Sequence, residues 1–296
     1  MKVLLAGASG MIGQRLKTQL TADGHEIRSL TRSPGSDYLW TAQPGSVPPD
    51  ALEWADGLVS LNGASLTHLP WTKAYKDLIR ASRVKATAAL AGSIAASHNP
   101  PKVWVSGSAV GVYGDCGARD LDENSPVGRG FLASVVRDWE AAATPAREAT
   151  RVVWARTGIV LGKDGALKPL ASATRMGLGS RIGSGTQWWP WISLDDEVRA
   201  IEFSLVTPGL EGAVNLVGPT GATSDAICRD LAHAMHRPYL FTLPSPLIRT
   251  VMSGADELLL SSQKAHPTAL LRTGFTFEYA EAAQAIDALW MRSVTG

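Results

Sequence analysis

The sequence predicts an α/β protein with a doubly wound parallel sheet of Rossmann type and a small C-terminal substrate lobe. The first observation is the N-terminal stretch MKVLLAGASGMIG, in which a short apolar run and a glycine-rich turn precede a helical pattern. The second is the alternation of apolar strands with amphipathic helices as far as Gly162. The third is the loss of this alternation after Gly162, where glycine-dense connections and helices follow.

The composition excludes several classes of protein. The chain of 296 residues has 28 Lys plus Arg and 27 Asp plus Glu, so it has no strong field for nucleic acid or acidic membranes. Cys116, Cys228 and the histidines form no disulfide framework and no metal-ligand pattern. No apolar run approaches the ~20 residues of a membrane span. A core strand opens the chain, so we expect a cytoplasmic protein without a cleaved leader. We also expect a monomer or homodimer that acts on a small molecule.

The first strand and the glycine turn predict a site for the pyrophosphate of a dinucleotide. Residues 3–6 are apolar, and the helix that follows has Leu16 and Leu20 on one face. The tight turn needs residues without a Cβ, and the exposed N–H groups of the helix face the anion. An ordinary strand–turn–helix with incidental glycines is the alternative interpretation. The predicted contacts are Gly7, Ser9, Gly10, Met11, Ile12 and Gly13.

The end of the second predicted strand, residues 26–30, indicates which cofactor is bound. An NAD-selective site usually has an Asp or Glu there, which binds the 2′-hydroxyl of the ribose. Here Thr31 and Arg32 follow the strand, and the first carboxylate is Asp37. A hydroxyl and a guanidinium suit a 2′-phosphate, which a carboxylate would repel. We therefore expect NADP(H), and the alternative is that Arg32 is a solvated loop residue.

The next stretch is predicted to lie beside the adenosine end of the cofactor. Residues 33–50 are rich in Pro, Gly and Ser and are predicted to form a loop. A third strand, residues 57–61, ends at Leu61, Asn62 and Gly63. In the long helix predicted over residues 71–97, Arg83 either reaches a cofactor phosphate or is a solvated helical residue.

The following strands predict the reactive edge of the sheet. Small hydroxyl residues follow the strand at residues 102–106, and Arg156 ends the strand at residues 151–156. The carboxyl ends of such strands lie at the crevice where ligands bind. Ser106 and Arg156 are therefore expected to contact the cofactor. Ser108 and Tyr113 are the candidate catalytic residues, and a packed position at the edge of the sheet is the alternative for Tyr113.

The part of the chain after Gly162 is predicted to form most of the lobe. Residues 178–185 are predicted to be a glycine-dense connection, and residues 243–271 to be mostly helical. The acidic run at residues 195–197 is expected to cap a helix that ends at residue 206. Residues 213–217 are predicted to be the last strand of the sheet.

The predicted domain limits follow from these elements. The Rossmann domain takes residues 1–162 with a contribution from 192–222, and the lobe takes residues 163–191 and 223–296. Trp188, Trp189 and Trp191 either line the substrate site or belong to the core between the two parts.

With these elements placed, the chain resembles an atypical extended short-chain dehydrogenase/reductase. More narrowly, it resembles the epimerase-like family often labelled YfcH or SulA-like, which has a conserved C-terminal segment of unknown function. The resemblance implies a Rossmann domain, NADP(H) binding and a small substrate lobe. The matching stretches are the glycine turn at 7–13, LTR at 30–32, VSGSAVGVYG at 105–114, RTGIVLG at 156–162, GLGSRIGSG at 177–185, WPWISLDD at 189–196 and SQKAHP at 262–267.

The sequence departs from the superfamily at the residues that move protons. Members of the superfamily usually combine a serine with a Tyr-x-x-x-Lys pair, whose Tyr is the general acid or base. Ser108 matches the serine, but Phe131 stands at the Tyr position and Val135 at the Lys position. None of the five tyrosines has a Lys four residues later. Two hypotheses remain, an NADP(H)-dependent oxidoreductase or epimerase-like enzyme and a catalytically silent NADP(H)-binding sensor.

Overall fold

The computed structural model describes residues 1–252 and 254–291. The strands are β1 (Lys2–Ala6), β2 (Glu26–Thr31), β3 (Tyr38–Leu39), β4 (Gly57–Ser60), β5 (Val103–Ala109), β6 (Asp120–Leu121), β7 (Arg151–Thr157), β8 (Ile159–Leu161), β9 (Gly179–Ile182), β10 (Trp188–Trp189), β11 (Trp191–Ser193), β12 (Gly212–Leu216), β13 (Ala222–Thr223), β14 (Tyr239–Leu243) and β15 (Lys264–Ala265). The helices are α1 (Met11–Ala22), α2 (Pro49–Trp54), α3 (Lys73–Ala96), α4 (Phe131–Ala143), α5 (Lys168–Arg175), α6 (Leu194–Val206), α7 (Ser224–Ala234), α8 (Ser245–Met252), α9 (Glu257–Leu260), α10 (Thr268–Arg272) and α11 (Ala282–Met291).

A seven-stranded parallel sheet forms the centre of the fold. Its strand order is β12–β7–β5–β4–β1–β2–β3, and every neighbouring pair is parallel. The chain therefore runs outward from β1 through β2 to β3, and then returns to the other side of β1 at β4. Ligands of such sheets bind at this reversal, outside the carboxyl ends of the strands. The order confirms the predicted Rossmann-type fold.

Helices cover both faces of the sheet. Because side chains alternate along a strand, Val3 and Leu5 of β1 pack toward α1 and α6, in one apolar cluster with Ile201. Leu4 belongs to the cluster on the opposite face, with Leu90 of α3 and the alanines at the end of α4. The strands are apolar on both faces, which is why the first strand reads as a continuous apolar run.

A further apolar cluster joins the elements of the predicted lobe. It contains Trp189 and Trp191 together with residues of α5, α7, α8 and α11. The domain limits at residue 162 remain a prediction. Within the described ranges, no helix is long and apolar enough to cross a membrane, and Cys116 and Cys228 are free thiols.

Two predicted connections contain regular structure that the sequence pattern did not show. The predicted loop at residues 33–50 contains β3 and the start of α2, which begins at Pro49. The predicted glycine-dense connection contains β9, which pairs in parallel with β14. The stretch at residues 243–271, predicted to be mostly helical, contains α8, α9 and most of α10, and also β15. The strands β9 and β15 are short and pair with segments far away in the sequence, whereas β3 pairs with the nearby β2.

Candidate functional site

The glycine turn between β1 and α1 is shaped by backbone contacts. Gly7 has a φ of 93°, and a Cβ there would lie 2.8 Å from the carbonyl carbon of Leu61. A Cβ on Gly13 would collide with the carbonyl oxygen of Gly7. Gly10 differs, because the nearest atom to a Cβ at that position is Gly7 O, 3.7 Å away. Packing therefore accounts for Gly7 and Gly13, whereas the space over Gly10 is open to a ligand.

The N-terminus of α1 is suited to an anion. This helix has 12 residues, its N-cap Gly10 offers no side-chain cap, and its first turn has no acidic residue. The N–H groups of the first helical residues have no partner within the helix, so they are available to a phosphate. These groups belong to Met11, Ile12 and Gly13, and Ser9 is exposed beside them.

The end of β2 presents a positive charge without a competing carboxylate. Arg32 is exposed at this end, next to Thr31. The Thr31 hydroxyl takes part in its own turn, where it accepts from Ser33 N at 3.1 Å. The Asp37 carboxylate accepts a 2.7 Å hydrogen bond from Ser29 N and is thereby held against β2. This arrangement fits a 2′-phosphate at Arg32.

The end of β4 carries a buried acceptor without a donor. The Oδ1 atom of Asn62 is buried and has no hydrogen-bond partner among the described residues. Asn62 lies beside the glycine turn, since its backbone N is 3.2 Å from the position of a Cβ on Gly7. Buried polar atoms are almost always hydrogen-bonded, so a ligand hydroxyl or amine is the expected partner here.

Arg83 reaches from α3 to the same place. A Cβ on Gly63 would lie 2.9 Å from the Cζ atom of Arg83. Its Nη1 atom donates to Ala64 O at 3.2 Å, and its Cζ atom stacks 5.3 Å from the centre of the Trp139 ring. Burial lowers the pKa of Arg83 to about 10. No Asp or Glu of the described ranges forms an ion pair with it. A half-buried cation without a carboxylate partner among the described residues fits an anionic ligand.

Ser108 belongs to a buried hydrogen-bonded network beside this region. Its Oγ donates to Oε1 of Glu140 at 2.6 Å, and it is 4% exposed. Arg156, opposite Ser108 in the register of β5 and β7, donates to both oxygens of Glu140 at 2.8 and 2.9 Å. Burial alone would lower the pKa of Arg156, but the contacts with Glu140 outweigh it and raise that pKa. Arg156 was predicted to contact the cofactor, but its donors are instead taken up inside the protein.

Tyr113 is enclosed in the same network. Its side chain is fully buried, its hydroxyl donates to Oδ1 of Asn215 at 2.7 Å, and it accepts from Nη1 of Arg156 at 3.0 Å. Burial raises the pKa of Tyr113, and the nearby Arg156 only partly offsets this. An acid–base phenol needs its pKa lowered toward neutrality, so this environment favours the packed alternative. Ser106 is also fully buried, and its Oγ donates to Gly107 O at 3.4 Å.

The positions of the superfamily's Tyr and Lys lie in an apolar cluster. Phe131 and Val135 pack with Trp71, Ile79 and Ala255. The rings of Phe131 and Trp71 meet edge to face, with centroids 5.8 Å apart. No proton-transferring group is therefore present at these two positions.

Sequence reasoning missed a buried carboxyl at the carboxyl end of β7. Glu197 of α6 is fully buried, and its Oε1 lies 2.7 Å from Oγ1 of the half-buried Thr157. Within the part that the structure describes, its Oε2 has no partner. Burial raises the pKa of Glu197 to about 8. The sequence does contain a signal, since Glu197 lies three residues after Leu194 and four before Ile201, on the apolar stripe of the helix.

The acidic run differs from expectation, and two of the tryptophans match the core alternative. Ser193, and not an acidic residue, caps α6 by accepting from the N–H of Asp196 at 2.9 Å. Trp189 and Trp191 are buried and donate to backbone carbonyls at 3.2 and 2.8 Å, so they are core residues. Trp188 is half-buried, and Nζ of Lys264 lies 5.0 Å from its ring centre.

Together, the glycine turn, the helix N-terminus and the two arginines without a counter-ion define a dinucleotide-binding protein of the Rossmann class. The chain belongs to the NAD dependent epimerase/dehydratase family, whose profile matches residues 3–216. A domain of unknown function, DUF1731, matches residues 243–289. Both matches confirm the resemblance to an epimerase-like family with a conserved C-terminal segment.

Several proteins are similar in sequence to this chain over nearly its whole length. An epimerase family protein of Mycobacterium bovis is 39% identical over 293 residues, which cover 96% of this chain and 96% of the relative. The human epimerase family protein SDR39U1 is 33% identical over an aligned region that covers 97% of this chain and 98% of the human protein. A crystal structure of human SDR39U1 with NADPH has a TM-score of 0.92 at 32% identity, and covers 98% of this chain and 99% of its own.

Proposed function

We propose that this chain is an NADP(H)-dependent oxidoreductase or epimerase-like enzyme that acts on a small molecule. The observation that carries the proposal is Arg83, a half-buried cation without a carboxylate partner in the described ranges, beside the unpartnered Asn62 Oδ1. Nearly full-length similarity to SDR39U1, which was crystallised with NADPH, supports the choice of cofactor. We also keep a cytoplasmic location and a monomeric or homodimeric state as proposals.

The proposed cofactor site uses most of the predicted residues. The N-terminus of α1 would bind the pyrophosphate, Arg32 with Thr31 the 2′-phosphate, and Arg83 a further phosphate or ribose oxygen. We leave Ser106 and Arg156 out of the site, because both are buried and bonded within the protein. The remaining proposed contacts are Gly7, Ser9, Gly10, Met11, Ile12, Gly13, Leu61, Asn62 and Gly63.

NADPH would supply a hydride, and the protein residues would have to orient the substrate and handle the proton. Ser108 lies at the carboxyl end of β5, where the superfamily serine contacts the reacting oxygen. Its hydroxyl hydrogen is donated to Glu140. Toward a ligand, Ser108 therefore offers lone pairs, which suit a hydroxyl group better than a carbonyl group.

A specific observation also favours the second candidate, a catalytically silent NADP(H)-binding sensor. Phe131 and Val135 lie in an apolar cluster, and Tyr113 is enclosed with a raised pKa. A protein that only reports cofactor binding needs neither a Tyr–Lys pair nor a phenol with a lowered pKa. A screen of small carbonyl compounds for NADPH oxidation separates the two candidates, because a sensor reduces none of them.

Cofactor choice is tested by calorimetric titration with NADPH and NADH. A charge-assisted hydrogen bond contributes about 1.5–3 kcal/mol, so Arg32→Ala should weaken NADPH binding by roughly ten- to a hundredfold. The affinity for NADH should change little, because NADH has no 2′-phosphate. Arg175→Ala, at an exposed arginine of α5, is the matched control and should bind both cofactors like the wild type. Equal affinities of the wild type for NADPH and NADH would remove the proposal that Arg32 selects the cofactor.

A further inference from the structure

Glu197 is a carboxyl group enclosed between α6 and the carboxyl end of the sheet. It is 0% exposed, and its Oε1 lies 2.7 Å from Oγ1 of Thr157. Thr157 is half-buried at the end of β7 and pairs in register with Ala109, the residue after Ser108. The Thr157 hydroxyl therefore links the buried carboxyl to the edge of the sheet at which Rossmann proteins bind their ligands.

The surroundings of Glu197 keep it neutral at pH 7. Burial raises its pKa to about 8, and the hydrogen bond with Thr157 lowers it only in part. Charged side chains of the elements around it are held by other partners. The ion pairs are Arg15 of α1 with Asp195 of α6, Arg199 with Asp196 within α6, Glu202 of α6 with His25, and Arg156 of β7 with Glu140 of α4. Arg151 of β7 donates instead to the backbone carbonyls of Ser204, Leu205 and Leu210. In the described part of the chain, burial and one hydroxyl therefore account for the protonation of Glu197.

The position of the proton follows from the partners of the two oxygens. A proton on Oε2 would be a buried donor without an acceptor, because that atom has no partner among the residues described. A proton on Oε1 can be donated to Oγ1 of Thr157, 2.7 Å away. The hydroxyl hydrogen of Thr157 then has Ala155 O as its acceptor inside the protein, at a long 3.4 Å, and a ligand oxygen can replace this weak contact.

We propose that Glu197, acting through the Thr157 hydroxyl, supplies the proton that the Tyr–Lys pair supplies elsewhere in the superfamily. This inference rests on the proposed function. Reduction of a carbonyl group adds a hydride to the carbon and one proton to the oxygen. The Oγ–H bond of Thr157 breaks as the new O–H bond forms on the substrate. The Oε1–H bond of Glu197 then breaks as Thr157 regains its hydrogen, and Glu197 becomes a carboxylate.

Cofactor binding alone, without a substrate, should change the protonation of Glu197. The nicotinamide ring carries a positive charge in NADP⁺ and none in NADPH. A positive charge near Glu197 favours its carboxylate form. Binding of NADP⁺ should therefore lower the pKa of Glu197 and release protons into solution, whereas binding of NADPH should release fewer.

Proton release is measured by calorimetric titration with NADP⁺ and NADPH in two buffers of different ionisation enthalpy, near pH 7.5. For a pKa that falls by one unit around this pH, the wild type releases about half a proton per NADP⁺. Glu197→Gln should bind both cofactors without this release. Thr157→Val should move the release to higher pH, because it removes the hydrogen bond that lowers the pKa of Glu197. Glu148→Gln, at an exposed glutamate, is the matched control and should keep the release.

Two results would overturn the inference: equal release by the wild type and Glu197→Gln, or no release by a wild type that binds both cofactors. If Glu197→Gln does not fold, Thr157→Val decides, and an unchanged pH dependence of release contradicts the inference. A wild type that binds neither cofactor contradicts the proposed function itself.

Discussion

Replacing Glu197 by Gln should make the free energy of unfolding less dependent on pH. In the folded protein, Glu197 keeps its proton up to about pH 8, whereas in the unfolded chain it loses the proton near pH 4.5. Between these values the unfolded state binds fewer protons, so stability falls as the pH rises. The slope is about 1.4 kcal/mol per pH unit, which gives a loss of roughly 4 kcal/mol between about pH 5 and pH 8.

The glutamine variant removes this loss because its amide does not titrate. Its NH₂ group faces the position of Oε2, which has no partner in the described structure. The unpartnered NH₂ group therefore changes the free energy of unfolding by the same amount at every pH and does not affect its pH dependence. Urea unfolding of both proteins at a series of pH values should therefore show a stability difference that grows by roughly 4 kcal/mol in favour of Glu197→Gln. Glu148→Gln, at an exposed position, serves as the control. If the free energies of unfolding of the wild type and Glu197→Gln change with pH in parallel, the pKa of Glu197 is not raised and the reasoning is refuted.

Three further substitutions test the arginines and the buried network. Arg83→Met should raise thermal stability, because a half-buried charge without a carboxylate partner in the described ranges is removed, and weaken NADPH binding about tenfold or more in calorimetry. Glu140→Ala should lower the free energy of unfolding by about 3–5 kcal/mol, because Arg156 loses its counter-charge, and Glu140→Leu with Arg156→Met should recover most of it. Tyr113→Phe should cost about 1–3 kcal/mol of stability, yet reduce turnover of any substrate less than Ser108→Ala does. The opposite order of the two turnover losses would make Tyr113 the acid.

The fold was predictable because its determinants are local, and the proposed cofactor contacts follow from the same local patterns. The glycines at 7 and 13 meet backbone atoms of the turn itself and of the neighbouring strand end. The sheet strands are short apolar runs, and each is recognisable within a few residues. By contrast, β9 contains only one large apolar residue, Ile182, and pairs with β14, which lies about 60 residues later in the chain. The two-residue strand β3 is too short to show a pattern.

The buried network was not predictable, because its members are far apart in the sequence. Glu140 and Arg156 are 16 positions apart, on a helix and a strand that meet only in the folded sheet. Glu197 follows two other acidic residues, a pattern that is typical of a helix start. Which of the three are buried depends on the rotation of α6 against the sheet, and both Asp196 and Glu197 are buried. Local patterns therefore predicted the cofactor site, and tertiary packing determines which carboxyl group can hold a proton.

A crystal structure of the protein grown with NADPH is the most direct test of the proposed cofactor site. In this crystal we expect the 2′-phosphate at Arg32, phosphate oxygens at the N–H groups that begin α1, and the Arg83 guanidinium in contact with the cofactor. We also expect that the nicotinamide ring lies at the carboxyl ends of β5 and β7, within reach of the Thr157 hydroxyl. A cofactor that leaves Arg32 and Arg83 without contacts, or a nicotinamide ring separated from Thr157 by protein, would contradict the account.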